Sequence, residues 1–298
     1  MKKLLICLFL LIGYGLSAQQ YPETQLYAIN PYMINPGFNG YYSDLSAYAS
    51  VMSPITMEDG AIRNYQVGVN KSLEKEYVGI GGRLRYDQRD FFESIYVDAS
   101  FAYRLVTDNK HVLSVGSDIG LVNRTYNIGE LSPYVDLRDP TLYSDYYYQT
   151  NFNLGFGLAY YSSEIEAGIA LPHLVEGSEP FNGYFNAYFA YKVYFYHDEW
   201  QLKPNVFFVN YPDGTTQLEG NVMITRKGMF WGQLGATSNR AVTIATGWKF
   251  DSYELVYSHR QELNSQLPYL SRGEIMLRVH MGRSGYVLSN VRTKRNRK

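Results

Sequence analysis

The sequence is poor in cysteine and in charged residues. Its single cysteine, Cys7, lies in an N-terminal segment that we expect to be removed, so no disulfide, thiol nucleophile or cysteine-based metal site would remain. Charged residues make up 18% of the chain, against roughly 25% in ordinary soluble domains. The formal net charge is −1, whereas binding to nucleic acid needs a concentrated basic surface. These shortages argue against a disulfide scaffold, a thiol enzyme and a nucleic-acid-binding protein.

Long apolar runs are also missing, except at the start. No later stretch approaches the roughly 20 apolar residues that a membrane-spanning helix needs. At the start, Lys2 and Lys3 precede an apolar stretch over residues 4–16, and Leu-Ser-Ala at 16–18 resembles a cleavage site before Gln19. We therefore expect residues 1–18 to be a signal peptide. The alternative is an uncleaved anchor helix, for which the stretch is short.

The chain is instead rich in tyrosine, and its apolar residues recur at every second position. The chain has 30 Tyr, and apolar side chains alternate with polar or small ones from residue 44 onward. The clearest example is residues 95–105, where the odd positions are all apolar or small and the even positions include Asp98 and Arg104. A helix would scatter these two sets around its axis, so the alternation predicts β-strands with two different faces.

Fourteen such stretches can be counted, most of them about 9–12 residues long, which suffices to cross a bilayer at a tilt. They are residues 44–52, 62–71, 77–87, 92–105, 111–126, 151–162, 164–171, 183–196, 199–210, 216–226, 229–237, 240–250, 252–260 and 271–281. A soluble sandwich with an aromatic core is the alternative, but the charged faces do not suit burial on both sides. A sheet in lipid must close on itself. We therefore predict an all-β fold, a closed antiparallel transmembrane barrel of about 14 strands over residues 44–281, in the outer membrane.

The lengths of the connections alternate as a barrel requires. Short links at Ser163, 197–198, 227–228 and Asp251 belong to one set, and the longest connections belong to the other. Both termini of bacterial barrels lie in the periplasm, so the short set should be periplasmic. The longest connections, expected outside the cell, are 127–150, 172–182 and 261–270. After the barrel, residues 282–298 form a basic tail. We expect a solvated terminus, with contact to anionic headgroups or an acidic periplasmic partner as the alternative.

Residues 19–43 do not alternate. They contain two Asn-Pro pairs, Asn30-Pro31 and Asn35-Pro36, and Asn-Pro favours the start of a turn. We do not expect an apolar segment with two such turn signals to be exposed to solvent in the periplasm. We expect it to pack in or at the barrel as a possible plug; an ordered linker along the rim is the alternative.

Several motifs resemble those of one family. The segments QLY at 25–27, NPY at 30–32 and INPGFNG at 34–40 resemble the N-terminal signature of the PorP/SprF family, outer-membrane proteins of the Bacteroidota type IX secretion and gliding machinery. GIALPHL at 168–174, LKPN at 202–205 and SRGEIML at 271–277 resemble later motifs of the family, in the same order. The chain departs from the pattern in its basic tail and in Met281, where an aromatic is expected. The signature residues, in a structural or docking role, are Asn30, Pro31, Asn35, Pro36, Gly40, Pro172, His173 and Pro204.

The resemblance implies a component of type IX protein secretion that acts as a platform for export or surface anchoring of cargo such as adhesins. It implies as partners the outer-membrane lipids, secretion components including a periplasmic lipoprotein ring, and secreted or surface-anchored cargo domains. A passive outer-membrane channel for small or apolar solutes is the alternative function, because a barrel with an N-terminal plug could also conduct.

Catalytic and metal-binding patterns are weak. None of the five histidines has the spacing of a metal site. The nearest catalytic grouping is Ser258 and His259 with Glu262, but adjacent residues of a strand point to opposite faces. We therefore predict no enzyme activity, no metal and no cofactor, and we interpret His173 as a residue that anchors a loop.

Overall fold

The structure is a computed structural model. It describes residues 24–41, 45–54, 63–73, 77–89, 92–107, 111–126, 136, 138, 149–176, 179–180, 184–197, 199–211, 214–263 and 271–281. The predicted signal peptide, the basic tail and most of the long connections lie outside these residues, so their boundaries stay predictions. Among the described residues, no helix is both long enough and apolar enough to cross a membrane.

The described chain consists of two short 3-10 helices followed by strands. The helices are η1 (Pro31–Met33) and η2 (Pro36–Phe38). The strands are β1 (Leu45–Pro54), β2 (Arg63–Leu73), β3 (Val78–Arg89), β4 (Phe92–Val106), β5 (Val112–Tyr126), β6 (Gln149–Tyr161), β7 (Ile165–Glu176), β8 (Glu179–Pro180), β9 (Phe185–Tyr191), β10 (Val193–Phe195), β11 (Trp200–Asn210), β12 (Thr216–Arg226), β13 (Phe230–Thr237), β14 (Ala241–Phe250), β15 (Tyr253–Glu262) and β16 (Arg272–Met281).

The strands form one closed antiparallel barrel. Each strand from β1 to β7 pairs with the next, as does each from β11 to β16, and β16 pairs with β1. Between these halves, β9 pairs with both β7 and β11. β10 continues β9 along β11, and the two-residue β8 pairs only with the end of β7. Counting β9 and β10 together and leaving out β8, fourteen strands of the described residues close the wall, which confirms the predicted barrel.

The two faces of each strand differ in the way a membrane barrel requires. In β4, Tyr96 is 0% exposed on the inner face, whereas Val97 on the outer face is 53% exposed. Asp98 and Arg104 are buried inside, and Phe101 faces outward. Because apolar side chains lie outside and polar ones inside, the pattern of a soluble core is reversed. The inner faces are buried nonetheless, so something fills the lumen.

Strand β7 extends beyond its predicted end. The prediction ended it at Leu171, but the structure continues it to Glu176. The register with β6 shifts between the pairs Phe156↔Leu171 and Leu154↔Val175, so Pro172 and its neighbours form a bulge. A proline is tolerated within a sheet at such an irregularity, since it lacks the N–H that a regular ladder needs. The predicted loop 172–182 was therefore wrong at its start.

The predicted strand 183–196 is interrupted. It is divided into β9 and β10 at Lys192. The pairs Asn205↔Ala190 and Val193↔Leu202 flank the interruption, so the register sets Pro204 opposite Tyr191. Proline cannot donate a ladder hydrogen bond, and the regular pairing lapses at this point.

Aromatic side chains collect near the short connections, which we call the short-turn end of the barrel. Phe230 stacks on Trp248 with ring centroids 5.7 Å apart, and Phe250 stacks on Tyr253 at 5.6 Å. The hairpin between β12 and β13 turns tightly at Lys227 and Gly228, which have positive φ angles of 53° and 67°. Amphipathic rings at this level are typical of the lipid–water interface.

Candidate functional site

Residues 24–41, here called the plug segment, lie inside the barrel. Each Asn-Pro pair begins one 3-10 helix: Asn30 precedes η1 and Asn35 precedes η2, with proline at the first helical position. Proline suits this position because its fixed φ matches the helix and its missing N–H would have no helical partner. The Asn35 side chain also accepts a hydrogen bond from the N–H of Gly37 at 2.7 Å. The two Asn-Pro pairs thus fold an apolar segment into a compact unit.

The plug segment crosses the lumen from one end to the other. Its first residues meet β16 near that strand's start, at the end of the barrel opposite the short turns, here called the long-loop end. There the N–H of Gln25 donates to Glu274 at 2.7 Å. Its last residue, Tyr41, donates to Glu166 at 2.7 Å, near the start of β7 at the short-turn end. The segment therefore enters β1 from the side of the short turns.

An aromatic core joins the plug segment to the wall. Tyr27 packs against Phe207 of β11 with ring centroids 4.4 Å apart, and Phe38 stacks on Tyr161 of β6 at 6.0 Å. Tyr188 of β9 contacts the rings of both Tyr27 and Phe38. Burying a side chain such as Phe38 stabilises a fold by about 1.5–3 kcal/mol. The hydrophobic core of this protein thus lies between its plug segment and its barrel.

Inward side chains bind the main chain of the plug segment. The carbonyl oxygens of short 3-10 turns have few partners within their own segment and need donors elsewhere. Wall side chains supply them from five different strands. The donor–carbonyl pairs are Lys203–Ala28 at 2.8 Å, Arg278–Ile29 at 2.6 Å, Arg83–Tyr32 at 3.0 Å, Asn186–Ile34 at 3.0 Å and Arg104–Gly40 at 2.7 Å.

One buried carboxylate links three neighbouring strands. Glu166 of β7 lies 2.6 Å from the ammonium groups of both Lys192 and Lys203. It also accepts from the hydroxyl of Tyr41 in the plug segment at 2.7 Å. Lys192 follows the last residue of β9 and Lys203 belongs to β11, so this cluster spans the interrupted pairing described above. Side chains therefore bridge the wall where the backbone ladder lapses.

A second buried cluster holds the middle of the plug segment. Arg83 forms an ion pair with Asp118, and Asp118 also accepts from Ser100 at 2.5 Å. The hydroxyl of Tyr32 shares a hydrogen bond with Ser100 at 2.7 Å. The guanidinium of Arg83 lies 5.1 Å from the centre of the Tyr32 ring, a cation–π arrangement. These charges are paired and packed rather than open to a channel.

Two further carboxylates hold the first part of the plug segment. Glu219 of β12 accepts from the hydroxyl of Tyr27 at 2.6 Å. Glu274 of β16 accepts from Ser50 at 2.6 Å as well as from the N–H of Gln25. Glu166, Glu219 and Glu274 thus each accept a hydrogen bond from the plug segment.

Glycines on β5 and β6 let the plug segment approach the wall closely. A Cβ atom at Gly116 would lie 2.4 Å from the carbonyl carbon and oxygen of Pro36. A Cβ atom at Gly157 would lie 2.1 Å from Oδ1 of Asn35. The amide of Asn35 in turn donates to the Leu158 carbonyl at 3.0 Å. Any side chain larger than hydrogen would push the plug segment away from these strands.

The signature residues fall into three places. Asn30, Pro31, Asn35, Pro36 and Gly40 lie together in the plug segment, and Gly40 has a left-handed φ of 73°. Their roles stay a prediction, but all five shape or cap the turns of that segment.

Pro172, His173 and Pro204 are not brought together with them. Pro172 and His173 are buried in the bulge of β7, where His173 Nδ1 lies 2.8 Å from Oδ1 of Asn153. His173 also packs between the rings of Tyr96 and Tyr184. It therefore belongs to a strand and not to a loop, which corrects our interpretation. Pro204 lies on the outer, exposed face of β11.

The residues of the weak catalytic grouping point apart. Ser258 is fully buried and donates to Oε1 of Gln25 at 2.7 Å. The next side chain, His259, is partly exposed on the opposite face of β15. In the part of the chain that the structure describes, no group of three or more His, Cys, Asp or Glu could hold a metal ion.

The sequence did not single out the residues that grip the plug segment. Lys203 lies within the LKPN motif, whereas Arg83, Glu166 and Arg278 lie outside the motifs named above. Each of them occupies one of the alternate strand positions whose side chains face the lumen. A charged residue deep inside a barrel needs a partner. That signal could have marked them as contacts of the N-terminal segment.

A closed barrel with an apolar exterior and a polar, filled interior is an integral membrane protein of the outer-membrane type. The model of the family "Type IX secretion system membrane protein PorP/SprF" matches residues 16–277 of the chain. Because the match covers most of the chain, the protein belongs to the PorP/SprF family, is located in the outer membrane and is a membrane component of type IX secretion. No curated protein matches the sequence.

Three solved structures show a distant similarity to this chain. Omp33, an outer membrane protein of Acinetobacter baumannii, is 6% identical, with a TM-score of 0.49, over 82% of this chain and 100% of that one. The toluene transporter TodX of P. putida is 8% identical, with a TM-score of 0.48, over 84% of this chain and 93% of that one. The monoaromatic hydrocarbon channel CymD is 11% identical, with a TM-score of 0.48, over 90% of this chain and 96% of that one.

Proposed function

We propose that this protein is a closed outer-membrane platform for the export or surface anchoring of secreted cargo such as adhesins. The observation that carries the proposal is the filled lumen. The plug segment is buried among inward side chains of strands on every side of the barrel, with its carbonyls bound and its aromatic rings packed. A passive solute channel needs an open path, so the filled lumen favours the platform over the channel.

Moving the plug segment aside would be costly. Lys203, Arg278 and Arg83 would lose their carbonyl acceptors, and Glu219 and Glu274 would lose donors while still inside the barrel. Each buried polar group left without a partner costs about 1–3 kcal/mol, and more if it is charged. A segment held by many such contacts is suited to a permanent part of the wall rather than to a gate that opens with each solute.

With the lumen closed, the two rims are the surfaces left for partners. We assign the short-turn end to the periplasm, where it would meet the secretion machinery, including a periplasmic lipoprotein ring. The long-loop end would meet cargo domains at the cell surface. The signature residues of the plug segment serve this role indirectly, because they fold the segment that keeps the platform closed and rigid.

Conductance tests the closed state. The purified full-length protein is reconstituted into a planar bilayer, beside an open porin of similar size prepared in the same detergent. We expect the porin to give steady steps and this protein to give none. Steady openings with a solute preference would overturn the platform proposal in favour of the passive channel.

Site-specific photocrosslinking in native cells tests the partners. A photoreactive residue is placed at Asn239, in the exposed β13–β14 connection at the long-loop end, or at Lys227, in the short-turn end. The control position is Val222, on the lipid-facing side of β12. We expect cargo domains at Asn239 and a periplasmic secretion component at Lys227, identified by mass spectrometry. Capture of neither at the two rims would contradict the assignment.

A further inference from the structure

The outer wall carries a groove that the proposed function does not use. The groove has a volume of about 370 Å³ and crosses the outward faces of β5, β6, β7, β9 and β11. Leu113, Leu158 and Val206 are among the side chains that line it, and its lining is almost entirely apolar. It is therefore a concave, apolar patch on the lipid-facing wall.

Two alanines create the groove. In the register of the sheet, Ala167 of β7 lies between Tyr160 of β6 and Phe189 of β9. One step along the strands, Ala187 of β9 lies between Ile169 of β7 and Phe208 of β11. Each small side chain is thus flanked by large ones, and the two gaps are diagonal neighbours. Together they leave a continuous trough that runs obliquely across the wall.

The trough has a polar rim at its short-turn end. There His111 Nδ1 lies 2.5 Å from the hydroxyl of Tyr160, and both groups are at least partly exposed. Nearby on β9, the Tyr191 hydroxyl donates to the exposed carboxylate of Glu164 at 3.5 Å. Tyrosine and histidine side chains with an apolar body and a polar tip suit the level of the headgroups.

We propose that this groove binds one acyl chain of a phospholipid from the periplasmic leaflet, with its headgroup at the His111–Tyr160 rim, as a lipid retained by the barrel. The groove is continuous with the established lipid-facing surface, and an acyl chain has no polar atoms to satisfy there. A peptide strand would leave backbone groups without partners among these side chains.

The position of the groove gives the lipid a structural role. Phe189 and Val206, which line the groove, are cross-strand partners. The next outward-facing pair along the same strands is Tyr191 and Pro204, where the β9–β11 ladder lapses. An acyl chain lying here would cover the outer side of the same strands that Glu166 bridges from within. Lipid outside and ion pairs inside would together support the wall where this pairing lapses.

Native mass spectrometry of the purified full-length barrel tests the proposal. The protein is exchanged through several detergents that strip loosely held lipid, and the remaining phospholipid is counted per barrel. Wild type should retain one. Ala167→Leu and Ala187→Leu fill the trough from outside and should each lower the occupancy at least tenfold. The matched control is Ala49→Leu, on the lipid-facing side of β1, which should keep wild-type occupancy.

Heat-dependent migration on gels shows that each variant has folded, and the wild-type count is informative even if a variant fails. A wild-type barrel without lipid would overturn the proposal. So would equal retention by the filled variants, equal loss from the Ala49→Leu control, or a lipid-free dimer that buries the groove.

Discussion

The carboxylate of Glu166 lies 2.6 Å from the ammonium of Lys203, and that same ammonium donates to the carbonyl of Ala28 at 2.8 Å. One lysine thus joins β7, β11 and the plug segment. The second ammonium on Glu166, that of Lys192, extends the link to the end of β9. The barrel wall and the plug segment are therefore joined by a shared network of buried charges, and we expect them to unfold together.

We predict that Glu166→Gln strongly destabilises the barrel. The change leaves two buried ammonium groups without their carboxylate, and removing one partner of a buried ion pair costs about 3–5 kcal/mol. Urea unfolding in lipid vesicles, followed by tryptophan fluorescence, measures the free energy of unfolding.

The control is Glu199→Gln. Glu199 pairs with Lys227 at 3.7 Å, and both side chains are about half exposed. An exposed pair contributes only about 0–1 kcal/mol, so this variant should unfold like wild type. A Glu166→Gln barrel as stable as the control would contradict the role of the cluster.

Gly40→Ala should cost about 1–3 kcal/mol. Gly40 has a φ of 73°, where an L side chain is strained, and its added Cβ would lie 3.1 Å from the Arg104 guanidinium. Gly220→Ala is the control, since Gly220 has no positive φ and nothing within 4 Å of an added Cβ. The same urea titration compares them, and equal stability of the two variants would show that the turn at Gly40 is not constrained.

Gly116→Ala should displace the plug segment. The added methyl would lie 2.4 Å from the Pro36 carbonyl, and backbone atoms cannot rotate out of its way. We expect channel openings in planar bilayers where wild type has none, together with a lower unfolding midpoint. Gly232→Ala, which has open space around its added Cβ, should stay silent. A silent Gly116→Ala barrel of wild-type stability would mean that the segment does not press against β5.

The strands were predictable because lipid and lumen impose opposite demands on alternate residues. That rule found all fourteen strands, but it could not find the bulge after Leu171, since Pro172 reads as the end of a strand. It also missed the break at Lys192, because the cause, Pro204, lies on a neighbouring strand. The periodicity of one strand does not show whether the neighbouring strand has a backbone N–H to donate at each position.

The path of the plug segment was predictable only in outline. The Asn-Pro pairs indicated turns, and the apolar character indicated burial. The contacts that fix the path join residues far apart in sequence, such as Tyr27 with Glu219 and Asn35 with Leu158. Such pairs follow from the closed barrel and from nothing local, so the sequence alone could not assign them.

The filled lumen is tested most directly by a disulfide between the plug segment and the wall. The Cβ of a residue at position 37 would lie 3.0 Å from the Cβ of Ala159 on β6, and a disulfide requires about 3.5–4.5 Å, so a small shift suffices. The protein carries Gly37→Cys and Ala159→Cys, with Cys7→Ala so that no other thiol is present. A control pairs Gly37→Cys with Gly232→Cys on the outer side of β13. We predict that the first pair closes in most purified molecules and resists labelling by maleimide. Two free, labelled thiols in both proteins would place the segment outside the barrel and contradict the account.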